Sequence, residues 1–163
     1  MLADKFEHGA LSCKNKVKRF DTAFLNISGC SGCEICRNQN VCFKEDDFNN
    51  IKKALLNSDV VVFVTPVYYF GMSAQLKMVI DRFHSISKEL QNKSRKTILM
   101  MTAASPNKSV ADALILHYKM ILKYLRWENL ATLLATACPT REEIERSDYP
   151  CQARKLGEDL HNI

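Results

Sequence analysis

Residues 59–65 read DVVVFVT, a run of β-branched and aromatic residues that is apolar on both of its faces. Strands of this kind are typical of parallel sheets, which are covered by helices on both sides. Residues 97–103, TILMMTA, form a second run of the same type. Two such strands predict a parallel sheet at the centre of the fold.

Helical patterns alternate with strand patterns along the sequence. We predict helices over 1–11, 45–57, 73–87, 110–125 and 151–160, and further strands over 16–23 and 129–137. The acidic residues 45–47 favour the helix that they open, because they interact with the positive end of its dipole. Alternation of this regularity implies right-handed crossovers. The sequence therefore predicts a doubly wound α/β fold with helices on both faces of a parallel sheet.

Composition excludes several classes of protein. The 163 residues are 47% hydrophobic and 25% charged, which is typical of one globular domain and not of a disordered chain. The net charge is +5, but the basic residues are scattered along the sequence, so we expect no nucleic-acid binding. The most apolar run, residues 60–64, is far shorter than the ~20 residues of a membrane span. The N-terminal residues show no signal-peptide core, and we expect a cytoplasmic protein.

The cysteines are the most informative local feature. The chain has seven, and an odd number without a secretory signal argues against a disulfide framework. Four of them lie within thirteen residues with the spacing Cys-x2-Cys-x2-Cys-x5-Cys: Cys30, Cys33, Cys36 and Cys42.

This spacing favours an iron–sulfur cluster. Thiolates are soft ligands that suit both iron–sulfur clusters and zinc. Compact ferredoxin-type runs share the two short gaps, whereas zinc sites more often use two cysteine pairs with a longer spacer. We favour a [4Fe–4S] cluster over zinc as the metal centre, and a loop that holds no metal is the third possibility.

An aromatic segment follows the valine-rich strand. Residues 65–77 read TPVYYFGMSAQLK, in which Pro66 ends the strand and Gly71 permits a conformation or a close approach that a side chain would block. Tyr68, Tyr69 and Phe70 supply flat faces for stacking on a ligand ring, or they pack the edge of the core.

Ligands of doubly wound sheets bind outside the carboxyl ends of the strands. This rule selects three loops, 26–45, 66–72 and 104–109. We therefore expect the cysteine loop and the aromatic turn to meet at one rim of the sheet.

The segment 65–77 resembles the TPVY-x-G-x-x-S-A-Q-L-K motif of the NADPH-dependent FMN reductase family, which has a flavodoxin-like fold. The cysteine loop and the acidic residues after it resemble the iron–sulfur flavoprotein branch of that family. The resemblance extends over nearly the whole chain, and the two motifs together are more specific than either alone.

The resemblance implies FMN as the cofactor, bound where the order of the strands reverses. The residues that would line the flavin ring are Pro66, Val67, Tyr68, Tyr69, Phe70 and Gly71 on one side, and Thr102, Ala103, Ala104 and Ser105 on the other. The four cysteines would hold the cluster, which would exchange single electrons with the flavin. We expect NAD(P)H or a ferredoxin-like donor, a quinone or another acceptor, a homodimer or homotetramer, and no catalytic side chain.

The sequence departs from the family at its start, because it shows neither the first strand nor the Ser/Gly-rich phosphate loop. In a 2-1-3-4-5 sheet that strand would lie between 16–23 and 59–65. We expect residues 1–163 to form a single, N-terminally incomplete FMN-binding domain. Alternatively, the strand comes from another chain, or the protein has lost phosphate binding and is a cofactor-poor binding or scaffold protein.

Several polar residues carry no expected role. The histidines, His84 among them, have no metal-ligand spacing, and Asp81 and Arg82 form an exposed or pairing segment of a helix.

Overall fold

A computed structural model describes residues 1–39 and 41–162 of the chain. Position 40, inside the predicted cysteine loop, and position 163 lie outside the described residues. Three parallel strands form the sheet in the order β1-β2-β3: β1 (Val60–Pro66), β2 (Lys96–Thr102) and β3 (Glu128–Ala135). The two-sided apolar strands predicted over 59–65 and 97–103 are confirmed as β1 and β2.

Helices surround this sheet. They are α1 (Leu2–Ser12), α2 (Ile35–Gln39), α3 (Phe48–Asn57), α4 (Ala74–Arg82), α5 (Ser87–Gln91), α6 (Asp112–Leu125), α7 (Arg141–Arg146) and α8 (Tyr149–Glu158). The helix predicted over 73–87 is interrupted, because a 3-10 turn at Phe83–Ile86 separates α4 from α5. Within the described parts of the chain, no helix is long and apolar enough to cross a lipid bilayer.

Successive side chains of β2 enter two different cores. Leu99 and Met101 pack with helices α3, α4 and α6, whereas Ile98 and Met100 pack with α1 and α8. All four side chains are buried. This alternation is the period-2 geometry of a strand with both faces covered, so the predicted doubly wound arrangement is confirmed.

Helices α1 and α8 approach each other through glycine. A Cβ on Gly9 would lie 2.1 Å from the carbonyl oxygen of Arg154, and a Cβ on Gly157 would lie 2.2 Å from the carbonyl oxygen of Phe6. The two helices are therefore in backbone contact. No local sequence pattern predicts this crossing.

The strand predicted over 16–23 is wrong. Residues 16–21 pair with no strand among the described residues, and a 3-10 turn follows at Thr22–Phe24. Val17 packs against one core and Phe20 against the other, as alternate residues of an extended chain can. A strand also requires a hydrogen-bonded neighbour, and none is present within the described residues.

Strand β1 is less buried than its sequence predicts. Among the described residues it pairs with β2 alone, and Val64 is exposed whereas Phe63 and Thr65 are buried. Strand β1 is therefore an edge strand of the described sheet. The burial on both faces that was predicted for both apolar strands is found in β2 only.

Candidate functional site

The aromatic segment forms a tight turn at the carboxyl end of β1. The N–H of Tyr68 donates to the carbonyl of Gly71 at 2.9 Å, and the N–H of Gly71 donates back to Tyr68 at 2.9 Å. Tyr69 and Phe70 between them have φ angles of 46° and 65°, in the left-handed region. A two-residue turn with positive φ at both central positions usually contains Asn or Gly. Non-glycine residues held there are a feature of functional sites.

Two expectations for the aromatic segment are wrong. Gly71 does not have a positive φ, and a Cβ on it would lie 3.7 Å from the Tyr68 carbonyl oxygen, an ordinary contact. The unusual conformation is instead that of Tyr69 and Phe70. The alternative that the aromatics pack the edge of the core is also wrong, because the side chains of Tyr68, Tyr69 and Phe70 are all exposed.

Hydrogen bonds at its base fix the aromatic turn to the sheet. The Thr65 hydroxyl accepts from the N–H of Ser73 at 2.9 Å and donates to the carbonyl of Pro66 at 2.9 Å. The N–H of Val67 donates to the carbonyl of Thr102 at 2.8 Å. This last bond joins the two loops that were predicted to contact the flavin.

The second loop, residues 102–105, is held by the end of β3. The N–H of Ala103 donates to Ala135, and its carbonyl accepts from Cys138. The carbonyl of Ser105 accepts from the N–H of Ala137 at 3.0 Å. The N–H and the carbonyl of buried Ala103 thus both form hydrogen bonds within the protein. Ala104 is exposed at the surface of the rim. The structure thus brings the ten predicted cofactor residues together at one rim.

The four cysteines of the predicted cluster line a single pocket. Cys30, Cys33, Cys36 and Cys42 share this thiol pocket with Phe43, Arg82 and His84, among others. All four are free thiols, and they are exposed or half-buried. Seven residues of the chain are cysteine, and the other three lie outside this pocket.

The thiols are not gathered as ligands of one ion. Among the described residues, no three Cys, His, Asp or Glu side chains are grouped closely enough to hold a single metal ion. A zinc site requires all its sulfurs about 2.3 Å from one centre. The thiolates of a cluster bind different irons and lie farther apart. Within the described residues the four thiols thus line one pocket without forming a site for a single metal ion.

The thiol pocket and the aromatic turn lie at opposite ends of α4. The turn leads into the first residue of α4, whereas Arg82, His84 and Ser85 at the other end line the pocket. Helix α4 has nine residues, which is about 13 Å at 1.5 Å per residue. None of residues 66–72 lines the pocket, so the two features do not share one cavity within the described chain. The expected meeting of the cysteine loop and the aromatic turn at one rim is therefore not found among the described residues, because the cysteine loop follows no strand there and is held at the last residue of α4.

A buried ion pair attaches the cysteine loop to the helices. Nη1 of Arg82 donates to Oδ2 of Asp46 at 2.7 Å and to the carbonyl of Ser28 at 2.8 Å, while Nη2 donates to the carbonyl of Lys44 at 3.3 Å. The side chains of Arg82 and Asp46 are 1% and 6% exposed. Burial raises the pKa of Asp46, but hydrogen bonds from Arg82 and the N–H groups of Ser28 and Phe48 outweigh it and hold the pKa below its usual value.

Arg82 lines the thiol pocket and is not among the site residues that the sequence predicts. Of the two alternatives for this helix segment, pairing is confirmed by the ion pair with Asp46, whereas exposure is wrong for Arg82, which is buried and contacts both ends of the cysteine loop. A usable signal was present: Arg82 is three residues from Val79 on the apolar side of α4, and an acidic run precedes α3.

Solved structures share this fold. The NAD(P)H:quinone oxidoreductase from Methanothermobacter marburgensis superposes on 98% of this chain and 86% of its own, with a TM-score of 0.74 and 13% sequence identity. At that identity the likeness shows the fold alone. The chain has a flavodoxin-like α/β fold, as predicted.

Sequence comparisons give the family. The chain is 34% identical over 67 residues to an iron-sulfur flavoprotein from Archaeoglobus fulgidus, which covers 41% of this chain and 30% of that protein. It is 35% identical over 80 residues to an iron-sulfur flavoprotein from Methanocaldococcus jannaschii, covering 45% and 42%. The matches thus span less than half the length of these relatives. The NADPH-dependent FMN reductase family model matches residues 2–136. The chain belongs to the NADPH-dependent FMN reductase family.

Proposed function

We propose that the chain is the core of an FMN-dependent oxidoreductase that also carries a [4Fe–4S] cluster. It would move electrons between NAD(P)H or a ferredoxin-like donor and a quinone or another acceptor. The observation that carries this proposal is the bond between Val67 and Thr102, which places an exposed aromatic turn beside a second loop at the carboxyl rim of the sheet. Ligands of such sheets bind at this rim.

The rim residues suit a flat aromatic cofactor. Tyr68, Tyr69 and Phe70 would exclude water and contact the ring by stacking or edge packing. Ala104 and Ser105 would contact its other edge, since Ala103 uses its backbone groups to hold the loop. Bound FMN supplies the chemistry, because a flavin takes a hydride or single electrons, and the protein positions it.

We infer that Cys30, Cys33, Cys36 and Cys42 hold the cluster. The donors are thiols, which suit iron–sulfur clusters, and all four line one pocket. The basic residues Lys44 and Arg82 line the same pocket together with one acidic residue, Glu34. The relatives named iron-sulfur flavoproteins support this inference. Free thiols of this kind persist in a reducing compartment, and we infer a cytoplasmic location.

We also propose a homodimer or homotetramer in which α6 contributes to a subunit interface. Leu116, Met120 and Tyr124 follow one another at intervals of four residues and are all exposed. Residues at this spacing share one face of a helix. The buried residues Leu114, Tyr118 and Leu122 occupy the opposite face. An apolar stripe on the outer face of a helix is characteristic of an interaction surface.

The visible spectrum of anaerobically purified whole protein tests the cofactors. We expect flavin bands together with a broad iron–sulfur absorption, both bleached by a suitable reductant. Flavin bands without the broad absorption would show that the protein carries no cluster. The proposal would then be limited to a two-electron FMN reductase. A colourless protein that takes up no added FMN would contradict the oxidoreductase proposal and support the scaffold alternative.

A further inference from the structure

Two arginines are buried among the described residues, and their guanidinium groups have similar surroundings. Arg82 and Arg95 are 1% and 2% exposed. Each guanidinium lies over an aromatic ring, Arg82 at 4.8 Å from the centroid of Phe48 and Arg95 at 5.3 Å from that of Trp127. Each also donates to backbone carbonyls at the ends of helices or loops. The hydrogen bonds made by the guanidinium nitrogens of the two arginines can therefore be compared directly.

Arg95 uses all of its nitrogens. Its Nε donates to the carbonyl of Leu55 at 3.1 Å and its Nη2 to that of Leu56 at 3.1 Å. Its Nη1 donates to the carbonyls of Leu90 and Lys93. Arg95 is therefore a structural arginine that ties the end of α3 to the end of α5.

Arg82 leaves one nitrogen unused. Both of its Nη atoms donate to partners, as described above, but its Nε has none. Among the side chains of residues 1–39 and 41–160, this Nε is the only buried nitrogen or oxygen without a hydrogen-bond partner. A buried N–H without an acceptor is costly and is rare in native proteins, so it requires an explanation.

The position of Arg82 supplies that explanation. Its side chain lines the thiol pocket together with Cys30, Cys33, Cys36 and Cys42. Asp46 balances the charge of the guanidinium through Nη1, and the Nε–H remains available for another acceptor. Sulfur atoms accept hydrogen bonds, and such bonds to a cluster shift its reduction potential.

We propose that Arg82 is a positioning and tuning residue of the cluster, whose Nε–H donates a hydrogen bond to a sulfur of the group that the four thiols hold. The inference rests on the proposed cluster. A cationic donor favours the reduced form, which carries one more negative charge, so Arg82 raises the reduction potential. The Nη groups at the same time hold the two ends of the cysteine loop against α4.

The test is an anaerobic redox titration of the reconstituted whole protein, followed by visible absorption. The variants are Arg82→Gln, which replaces the cationic guanidinium by a shorter neutral amide, and Arg82→Lys, which keeps the charge but replaces the guanidinium by an ammonium group. Arg95→Lys is the matched control, because it changes a buried arginine that does not line the pocket. Iron and sulfide content and a thermal unfolding curve are recorded for each variant.

We expect Arg82→Gln to lower the reduced-to-oxidised ratio of the cluster about tenfold at the wild-type midpoint, which is about 59 mV for one electron. Arg82→Lys should lower it less, and Arg95→Lys should leave the ratio unchanged. If Arg82→Gln does not fold, Arg82→Lys decides the question. Cluster-loaded Arg82 variants with the wild-type potential would overturn the proposal while leaving the cluster intact. Wild-type protein that takes up no iron and sulfide would overturn both.

Discussion

The carboxylate of Asp46 and the guanidinium of Arg82 form an ion pair of 2.7 Å that joins the segment just before α3 to the last residue of α4. Asp46 also accepts hydrogen bonds from the N–H groups of Ser28 and Phe48. One carboxylate therefore holds the start of the cysteine loop, its end and the adjacent helix together. The ion pair thus links the segments that carry the thiol pocket.

Replacing Asp46 by Asn should destabilise the protein in a pH-dependent way. Removing one partner of a buried ion pair typically costs about 3–5 kcal/mol. The pKa of Asp46 is lower in the folded than in the unfolded state, so its stabilisation is present above the unfolded value near 3.9 and is lost as the pH falls through the folded value. Urea unfolding from pH 7 to pH 2.5 should show a difference between wild type and variant that shrinks below about pH 4.

The control for this experiment is Asp59→Asn. Asp59 also pairs with a cation, Lys93 at 2.7 Å, but this pair is at the surface. Exposed ion pairs contribute little. If Asp59→Asn loses as much stability as Asp46→Asn, the burial of the Asp46–Arg82 pair does not explain the stability that Asp46 provides.

Replacing Gly157 by Ala should disrupt the α1–α8 crossing. The new Cβ would lie 2.2 Å from the carbonyl oxygen of Phe6 and 2.7 Å from the N of Ala10, and backbone atoms can yield only if the helices separate. We expect a loss of about 3 kcal/mol in the free energy of unfolding, measured by urea denaturation. Gly71→Ala is the control, because its Cβ meets nothing closer than 3.7 Å. Equal stability of both variants with wild type would show that α1 and α8 are not in backbone contact.

Replacing Tyr69 and Phe70 by Asn and Gly should stabilise the aromatic turn and weaken flavin binding. The pair Asn-Gly prefers the positive φ angles that Tyr69 and Phe70 hold here, and both aromatic side chains are exposed. We expect the cofactor-free protein to gain about 1 kcal/mol by urea unfolding. FMN binding, measured by the quenching of flavin fluorescence, should weaken at least tenfold. Unchanged FMN affinity would contradict the assignment of the turn to the flavin.

Replacing Met120 by Lys should break the proposed subunit interface on α6. A lysine in the middle of the apolar stripe would be buried without a partner at the interface. Light scattering of the wild-type protein should give a dimer or tetramer, and that of Met120→Lys a smaller species. Asn50→Lys on the exposed side of α3 adds the same charge elsewhere and should leave the mass unchanged. An unaltered mass in Met120→Lys would move the interface away from α6.

The parts of the fold that sequence predicted best are those set by local periodicity. Strands β2 and β3 and helices α1 and α3 begin and end within three residues of their predicted positions. Apolar alternation and acidic helix starts are local signals, and the family motif at 65–77 adds the position of the rim. The predicted flavin residues accordingly lie together, on the loops that Val67 and Thr102 join.

The parts that sequence predicted poorly depend on residues far apart in the chain. An extended pattern over 16–23 is not a strand without a neighbour to pair with. The burial of Arg82 depends on Asp46, which is 36 positions away. The role of Gly157 depends on Phe6 at the other end of the chain. The left-handed conformations of Tyr69 and Phe70 oppose the local preference of those residues, so no local rule could indicate them.

The amounts of iron, zinc and acid-labile sulfide per chain test the central claim, that the four thiols of one pocket hold an iron–sulfur cluster. The whole protein, purified or reconstituted under anaerobic conditions, should contain about four iron and four sulfide per chain. Cys42→Ser should lose most of both, whereas Cys151→Ser, an exposed cysteine outside the pocket, should keep them. Zinc without sulfide, or equal iron and sulfide in the two variants, would contradict the claim.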